Sequence, residues 1–335
     1  MTNRPIEYQT TSKTIKLLQD YIAAQTQAQK DEIMDTLNLT SQYDGLNISV
    51  TVSRPMHKPI AVLQLVHGLC GCKERFAPMM EFLSNNGIVC ISSDLRGHGK
   101  SIHDKSDLGY FYSGGYRALV DDIRTVTNWG KNTFSTLPLF MLGHSMGSLA
   151  VRVYTKYDDS ALSGLILCGS PSKNPLSGFG RFLTGIACMT GFDKSRGNIL
   201  QSITDKNYNK NFKSEGPRAW VCSDKNERTR FAQNPQCNFN LTMNGANNLM
   251  KMMGETYNKN GWCISNPTMP ILFISGGDDP CMISQKKFQD AIQSMRNVGY
   301  KNVKYTIYPN MRHEVLNELN KHQVWNQILN FVKQR

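Results

Sequence analysis

Leu139 to Ala150 reads LFMLGHSMGSLA, and at its centre Gly143-His144-Ser145-Met146-Gly147 sets a serine between two glycines. The run before it is apolar and strand-like. The run after it, with Leu149, Val151, Val153 and Tyr154, is helical in pattern. A strand-to-helix turn this sharp strains the backbone of its central residue and leaves no room for side chains on either flank. It also lifts the serine oxygen clear of the chain at a helix N-terminus, where developing negative charge is favoured. Ser145 is the candidate nucleophile.

A serine hydroxyl needs a base. The chain has histidines at 57, 67, 98, 103, 144, 313 and 322. His57 and His103 fall in polar loop sequence, and His144 inside the turn suits packing or hydrogen bonding. His313 follows the strand-like Val303 to Tyr308 and the turn Pro309-Asn310-Met311-Arg312. That is the loop at a strand's C-terminal end, where open α/β sheets keep their sites. The run His313-Glu314-Val315-Leu316-Asn317 lacks the second histidine of a zinc-protease helix, which removes that chemistry.

The base in turn needs a carboxylate to hold its tautomer. Ile271 to Ser275 reads as a strand, and Gly276-Gly277-Asp278-Asp279-Pro280 is the loop at its end. The two adjacent aspartates compete, and spacing alone does not separate them. Donors for a tetrahedral oxyanion complete the set. The backbone N–H of Leu69, after Val66-His67-Gly68, is one candidate, and that of Met146, directly after the nucleophile, is the other. His67 is then structural, holding its loop.

Elements able to position these residues are visible in the pattern. IAVLQLV from Ile60, GIVCISSD, LPLFML, LSGLILC and PILFIS are short apolar runs bounded by Gly, Pro or Asp. Such runs mark strands of a parallel sheet covered on both faces. Between them lie helical stripes: Leu119, Val120, Ile123, Val126 and Trp129; Phe288, Ile292 and Met295 behind a Ser284 cap; Val324, Trp325, Ile328, Leu329 and Val332 at the end. The alternation predicts an α/β fold with a doubly wound, mostly parallel sheet. Ahead of it, the first forty residues read as an amphipathic helical lead-in (Ile15, Leu18, Ile22) ending near Asn38. A hairpin follows, signalled by Tyr43-Asp44-Gly45 before the alternating Leu46 to Val52.

The rhythm breaks between Pro171 and Pro267, so residues 171–267 are expected to be a helical insertion between two core segments, 1–170 and 268–335. The insertion holds 13 Lys and Arg against 6 Asp and Glu, a net +7 of the chain's +12. Its apolar stripes, Phe179, Phe182, Leu183, Ile186 and Met189 and then Leu249, Met250, Met252 and Met253, suit either core packing or an acyl pocket. From these, Phe179, Phe182, Ile186, Met250 and Met253 are the candidate substrate contacts.

The 335 residues are 40% apolar and 19% charged, which rules out low-complexity and collagen-like chains. No apolar run approaches a membrane span, and Met1 to Tyr8 carries no signal-peptide pattern, so a cytoplasmic protein is expected. Nine scattered cysteines do not form a disulfide framework or a zinc pattern, and the scattered Lys and Arg show no nucleic-acid motif. The basic insertion is compatible with contact to an anionic membrane or a substrate phosphate, or with a solvated face.

With these residues in view, the chain resembles the α/β-hydrolase family, and within it the monoacylglycerol lipase and lysophospholipase-like branch grouped with the serine aminopeptidase S33 families. The resemblance rests on His67-Gly68-Leu69, Asp94-Leu95-Arg96-Gly97-His98-Gly99-Lys100-Ser101, the turn around Ser145, the Gly276-Gly277-Asp278-Asp279 loop and Tyr308-Pro309 through His313, in the family's order over about residues 40–335. It implies a lid between two late core strands, a carboxylic-ester hydrolase that needs no cofactor, and a small acyl-ester substrate. Relatives end the acidic loop with the catalytic acid, which points to Asp279 over Asp278. An aminopeptidase on the same scaffold is the rival reading, as is a ligand-binding protein that keeps the fold.

Overall fold

The computed structural model describes residues 34–174 and 177–334. Eight strands, β1 (Met34–Thr40), β2 (Asn47–Ser53), β3 (Ala61–Val66), β4 (Ile88–Ser93), β5 (Leu139–His144), β6 (Gly164–Cys168), β7 (Ile271–Gly276) and β8 (Val303–Tyr308), form one sheet. Their spatial order is β1-β2-β4-β3-β5-β6-β7-β8. The first two pairings, β1 with β2 and β2 with β4, are antiparallel, and all the others are parallel. Every residue of β3 to β7 is buried, as the unbroken apolar runs require of strands covered on both faces.

Helices cover the two faces. On one, α2 (Gly115–Thr133), α3 (Met146–Tyr157) and α8 (Gln285–Asn297) bury Leu119, Ile123, Leu149, Val153, Phe288 and Ile292 in one apolar layer with Val62 and Val66 of β3. On the other, α1 (Ala77–Ser84) and α9 (Lys321–Lys333) bury Met80, Leu83, Trp325 and Ile328 in one apolar layer with Leu63 and Leu65 of the same strand. Alternate residues of β3 thus serve opposite layers, the period-two geometry of a strand. The chain reverses direction across the sheet after β4, moving from one side of β3 to the other. A crevice opens there at the strands' C-terminal ends.

The hairpin stands as expected, with Gly45 at φ +77° in its turn. The helical reading ahead of it does not hold through Asn38, because Met34–Thr40 is a strand. Leu37 and Leu39 alternate with polar neighbours, and seven rungs of pairing to β2 decide the matter. The earlier part of the lead-in, with Ile15, Leu18 and Ile22, lies outside the described residues.

Between β6 and β7 the described residues form α4 (Ser177–Met189), α5 (Asn198–Tyr208), α6 (Lys225–Gln233) and α7 (Met243–Thr256), with no named strand. Thr242 caps α7 by accepting the Gly245 N–H. Two α7 side chains dock the helix on the core: Asn244 and Asn248 accept the N–H groups of Phe111 and Tyr116, each at 3.0 Å. Among the described residues no helix is long and apolar enough to cross a membrane.

Candidate active site

Ser145 sits between β5 and α3 at φ +53°, ψ −120°, a conformation that L-residues adopt only when the surroundings impose it. Those surroundings are three glycines. A Cβ on Gly143 would meet the Gly147 carbonyl at 2.5 Å, one on Gly147 would strike the Val66 carbonyl, and one on Gly68 would meet Ser145 Cβ at 2.9 Å. The Ser145 N–H donates to Cys168 O of β6 at 2.9 Å, which ties the turn to the sheet.

His313 and Asp279 arrive from neighbouring strands. Asp279 ends the loop after β7 and His313 lies in the loop after β8. The two loops are laced together by Gly277 N–H to Tyr308 O (2.8 Å) and Asp278 N–H to Met311 O (2.9 Å). Gly276 is required here, since a side chain would strike the carbonyls of Met311 and Arg312. The Ser145 hydroxyl lies 2.8 Å from His313 Nε2, and both Asp279 carboxylate oxygens lie 3.0 Å from His313 Nδ1. A carboxylate only accepts, so Nδ1 carries the proton and Nε2 is left to accept from the serine. Asp278, by contrast, is exposed.

Burial on its own would raise the Asp279 carboxyl, but the His313 charge, its hydrogen bond and the Cys281 N–H at 2.8 Å hold it below the usual carboxylate range. Burial would likewise lower His313, and the Asp279 charge overrides it and carries the imidazole well above its ordinary value. His144, in the turn, is pushed down to about 4 by burial and faces the His313 carbonyl at 3.3 Å, a neutral packing partner.

Leu69 and Met146 both line the cavity beside Ser145. Met146 opens α3, so no preceding turn of helix can take its N–H. Leu69 follows His67, whose ring accepts the Leu95 N–H at Nε2 (3.0 Å) and donates from Nδ1 to Gly68 O (2.8 Å). Burial lowers His67 to about 4, so it is a neutral brace for this loop. The Asp94–Ser101 motif is structural too. Asp94 accepts the N–H groups of Lys73 (2.8 Å) and Lys100 (2.9 Å), and only a glycine at 99 leaves room for its carboxylate.

The cavity over Ser145 measures about 290 Å³. Leu149 of α3 and Ala246, Leu249, Met250 and Met253 of α7 supply apolar wall. Of the candidate contacts, Met250 and Met253 line this cavity. Phe182 and Ile186 do not: they are 63% and 40% exposed, and the α4 backbone reaches the cavity at Gly180. The α4 stripe faces outward because α4 meets α7 through its other side, where Asn247 bonds Thr184 and the Arg181 carbonyl. The Phe179 side chain lies outside the described residues.

Sequence reasoning missed Trp220, Tyr208 and Cys281. The Trp220 ring lies 5.3 Å from that of His313 and 4.9 Å from Tyr208, and its indole N–H has no partner among the described residues. Residues flanking His313 pin this turn of the insertion: Arg312 donates to Ala219 O (2.6 Å), and the Glu314 N–H to Val221 O (2.8 Å). Nothing local marks Trp220, since its role arises from packing across about ninety residues of chain. Cys281 Sγ is 4.0 Å from His313 Nε2. Asp279, Cys281 and His313 are the one described grouping with metal-ligand spacing. Both His313 nitrogens are already engaged, one by Asp279 and one by Ser145, so the cluster has no imidazole lone pair to offer an ion.

A family model described as serine aminopeptidase, S33, matches residues 57–320. A monoacylglycerol lipase of Mycolicibacterium smegmatis is 24% identical over 294 residues, covering 86% of this chain and 93% of that protein. A monoglyceride lipase homolog of monkeypox virus is 31% identical over 122 residues, 36% of this chain and 42% of that one. Among solved structures, a thermostable carboxyl esterase from Bacillus coagulans in complex with glycerol aligns at TM-score 0.81 and 25% identity, over 89% of this chain and 97% of that one. The chain belongs to the serine aminopeptidase S33 family, on the esterase and monoacylglycerol lipase-like branch of the α/β-hydrolases.

Proposed function

We propose that this chain hydrolyses monoacylglycerol-type carboxylic esters through an acyl-enzyme on Ser145. The observation that carries this reading is the Ser145–His313–Asp279 line, with contacts of 2.8 and 3.0 Å, opening into a cavity walled by aliphatic and methionine side chains. As Ser145 Oγ attacks the acyl carbon, His313 Nε2 takes its proton, and Asp279 stabilises the imidazolium. The N–H groups of Leu69 and Met146 receive the oxyanion. His313 then protonates the leaving alkoxide, and a water deprotonated by the same nitrogen releases the fatty acid.

The nature of the leaving group follows from charge. The main cavity shares Arg75, Arg218 and Glu314 with a second, smaller cavity of about 180 Å³. Arg75 is paired with Glu314, and Arg218 with Asp205 at 3.0 Å. Compensated pairs offer hydrogen bonds without a net field, which suits a neutral polyol better than a phosphate. The same pairing disfavours an aminopeptidase, because both carboxylates lining the cavity are already committed and an α-ammonium would find no free anion. The exposed Phe182, Met189 and Phe192 suit peripheral contact with a lipid surface, where such a substrate resides. Nine free cysteines fit a reducing, cytoplasmic setting.

Turnover of 1-monooleoylglycerol, lysophosphatidylcholine and an aminoacyl p-nitroanilide, each against Ser145→Ala, tests this reading. Monoacylglycerol should be cleaved at least tenfold faster than the other two, and not at all by the variant. Preferred cleavage of the anilide would overturn the ester reading, and preferred cleavage of the lysophospholipid would overturn the choice of leaving group.

A further inference from the structure

We propose that Cys72 and Cys237 form a reversible disulfide on exposure to a hydroperoxide, stapling the helical insertion to the loop that carries Leu69. The two Sγ atoms lie 3.4 Å apart, and no other two described cysteine sulfurs are in hydrogen-bonding contact. A disulfide needs about 2 Å. The remaining closure is about 1.4 Å, and the segments on either side of the pair are already in contact. The Asn238 N–H donates to Cys70 O at 3.3 Å, the Cys70 thiol to Phe239 O at 2.9 Å, and the Asn234 amide to Cys72 Sγ at 3.7 Å.

The pair joins parts of the molecule that matter to the site. Cys72 closes the loop running from His67 and sits at the start of the short 3-10 helix Lys73–Phe76. Cys237 lies between α6 and α7, and Phe231 and Leu241 on either side of it both line the cavity over Ser145. The bond would span 165 residues of sequence. Such a long loop, closed covalently, strongly restricts the unfolded chain.

The chemistry balances. Cys72 is fully buried while Cys237 retains 4% exposure, so oxidation begins at Cys237. Its thiolate attacks one peroxide oxygen, giving a sulfenic acid and hydroxide. Cys72 sulfur then attacks the sulfenic sulfur and expels water. Overall, two thiols and one hydroperoxide give one disulfide, water and, from an organic peroxide, the alcohol. A thiol reductant reverses it by exchange, as expected of a disulfide in a reducing compartment.

The test uses the intact protein treated with hydrogen peroxide, alkylated, and digested without reduction. A peptide pair linked through Cys72 and Cys237, two hydrogens lighter than its halves, should appear. Thermal denaturation should shift up by roughly 5 °C and return with dithiothreitol. Neither change should occur in Cys237→Ala or Cys72→Ala. Should either variant misfold, Cys237→Ser and the wild-type peptide map decide. Recovery of both residues as alkylated thiols, a bridge from Cys72 to another cysteine, or linkage without a thermal shift would overturn the proposal.

Discussion

Replacing Asp279 by asparagine removes one charge and almost no volume, so its effect reads the carboxylate alone. In the native site one oxygen takes the Cys281 N–H at 2.8 Å, the other takes the Ser275 hydroxyl at 3.3 Å, and both share the His313 Nδ1 proton at 3.0 Å. The Cys281 N–H is a fixed donor, so the asparagine carbonyl must face it and the NH₂ must turn toward Ser275. That NH₂ then confronts the Nδ1 proton. The imidazole escapes by moving its proton to Nε2, where it can no longer accept from Ser145. The buried imidazolium that forms during attack also loses the carboxylate bonded to it. By analogy with the asparagine substitution in the Ser-His-Asp template, the loss in kcat should be about 10³- to 10⁴-fold, or roughly 4 to 5.5 kcal/mol of transition-state stabilisation.

The pH profile gives a second, independent reading. His313 must be neutral to act as base, and Asp279 holds its imidazolium above the ordinary value. Activity therefore rises with pH along a limb whose midpoint lies above 6.5. Without the carboxylate that midpoint should move to lower pH, toward the value burial favours. Stopped-flow or steady-state kinetics on p-nitrophenyl butyrate from pH 5 to 9 would measure both effects. Asp278→Asn, changing an exposed neighbour, should stay within about twofold of wild type. An Asp279→Asn enzyme within tenfold of wild type, an unmoved pH limb, or a larger loss from Asp278→Asn would refute the reasoning.

Other consequences are equally direct. Arg96 is fully buried and bonds Asp122 (2.7 Å) and Asp44 (2.8 Å), so Arg96→Ala strands the Asp122 carboxylate in the interior and should cost about 3–5 kcal/mol in urea unfolding, with no residue of the Ser145 site touched. Met250→Trp fills apolar cavity wall, so hydrolysis of p-nitrophenyl palmitate should fall at least tenfold while the acetate changes little. Phe182→Ser and Ile186→Ser alter outward-facing side chains; stability should change by less than about 0.5 kcal/mol, and turnover of soluble short-chain esters should stay at the wild-type level.

What the sequence reveals, and what it does not, follows the range of the interactions. Ser145 is legible because strand, turn and helix are contiguous and the turn's sharpness alone calls for small residues on both flanks, although the clash that keeps Gly147 bare is with the distant Val66 carbonyl. The strand rhythm is legible because burial on both faces leaves only apolar residues. His313 is legible from its place after a strand, whereas Asp279 and Asp278 are separated only by resemblance, since the lacing of the two loops by Gly277 and Asp278 is a contact across sheet neighbours. The edge strand Met34–Thr40 is mostly exposed, so its weak alternation reads as helix until its pairing to β2 is seen. The insertion is the least legible part. An apolar helical stripe such as Phe182 and Ile186 marks a face without saying what covers it, and Trp220 reaches His313 only through long-range packing.

The central claim is that Ser145 is the nucleophile, and a fluorophosphonate probe tests it most directly. Incubation of the folded protein should give one covalent adduct per chain, mapped by mass spectrometry to the peptide containing Ser145. Ester hydrolysis should be lost in proportion to labelling, and Ser145→Ala should show neither adduct nor activity. Full hydrolysis with Ser145 unmodified, or a stoichiometric adduct on another residue, would contradict the account.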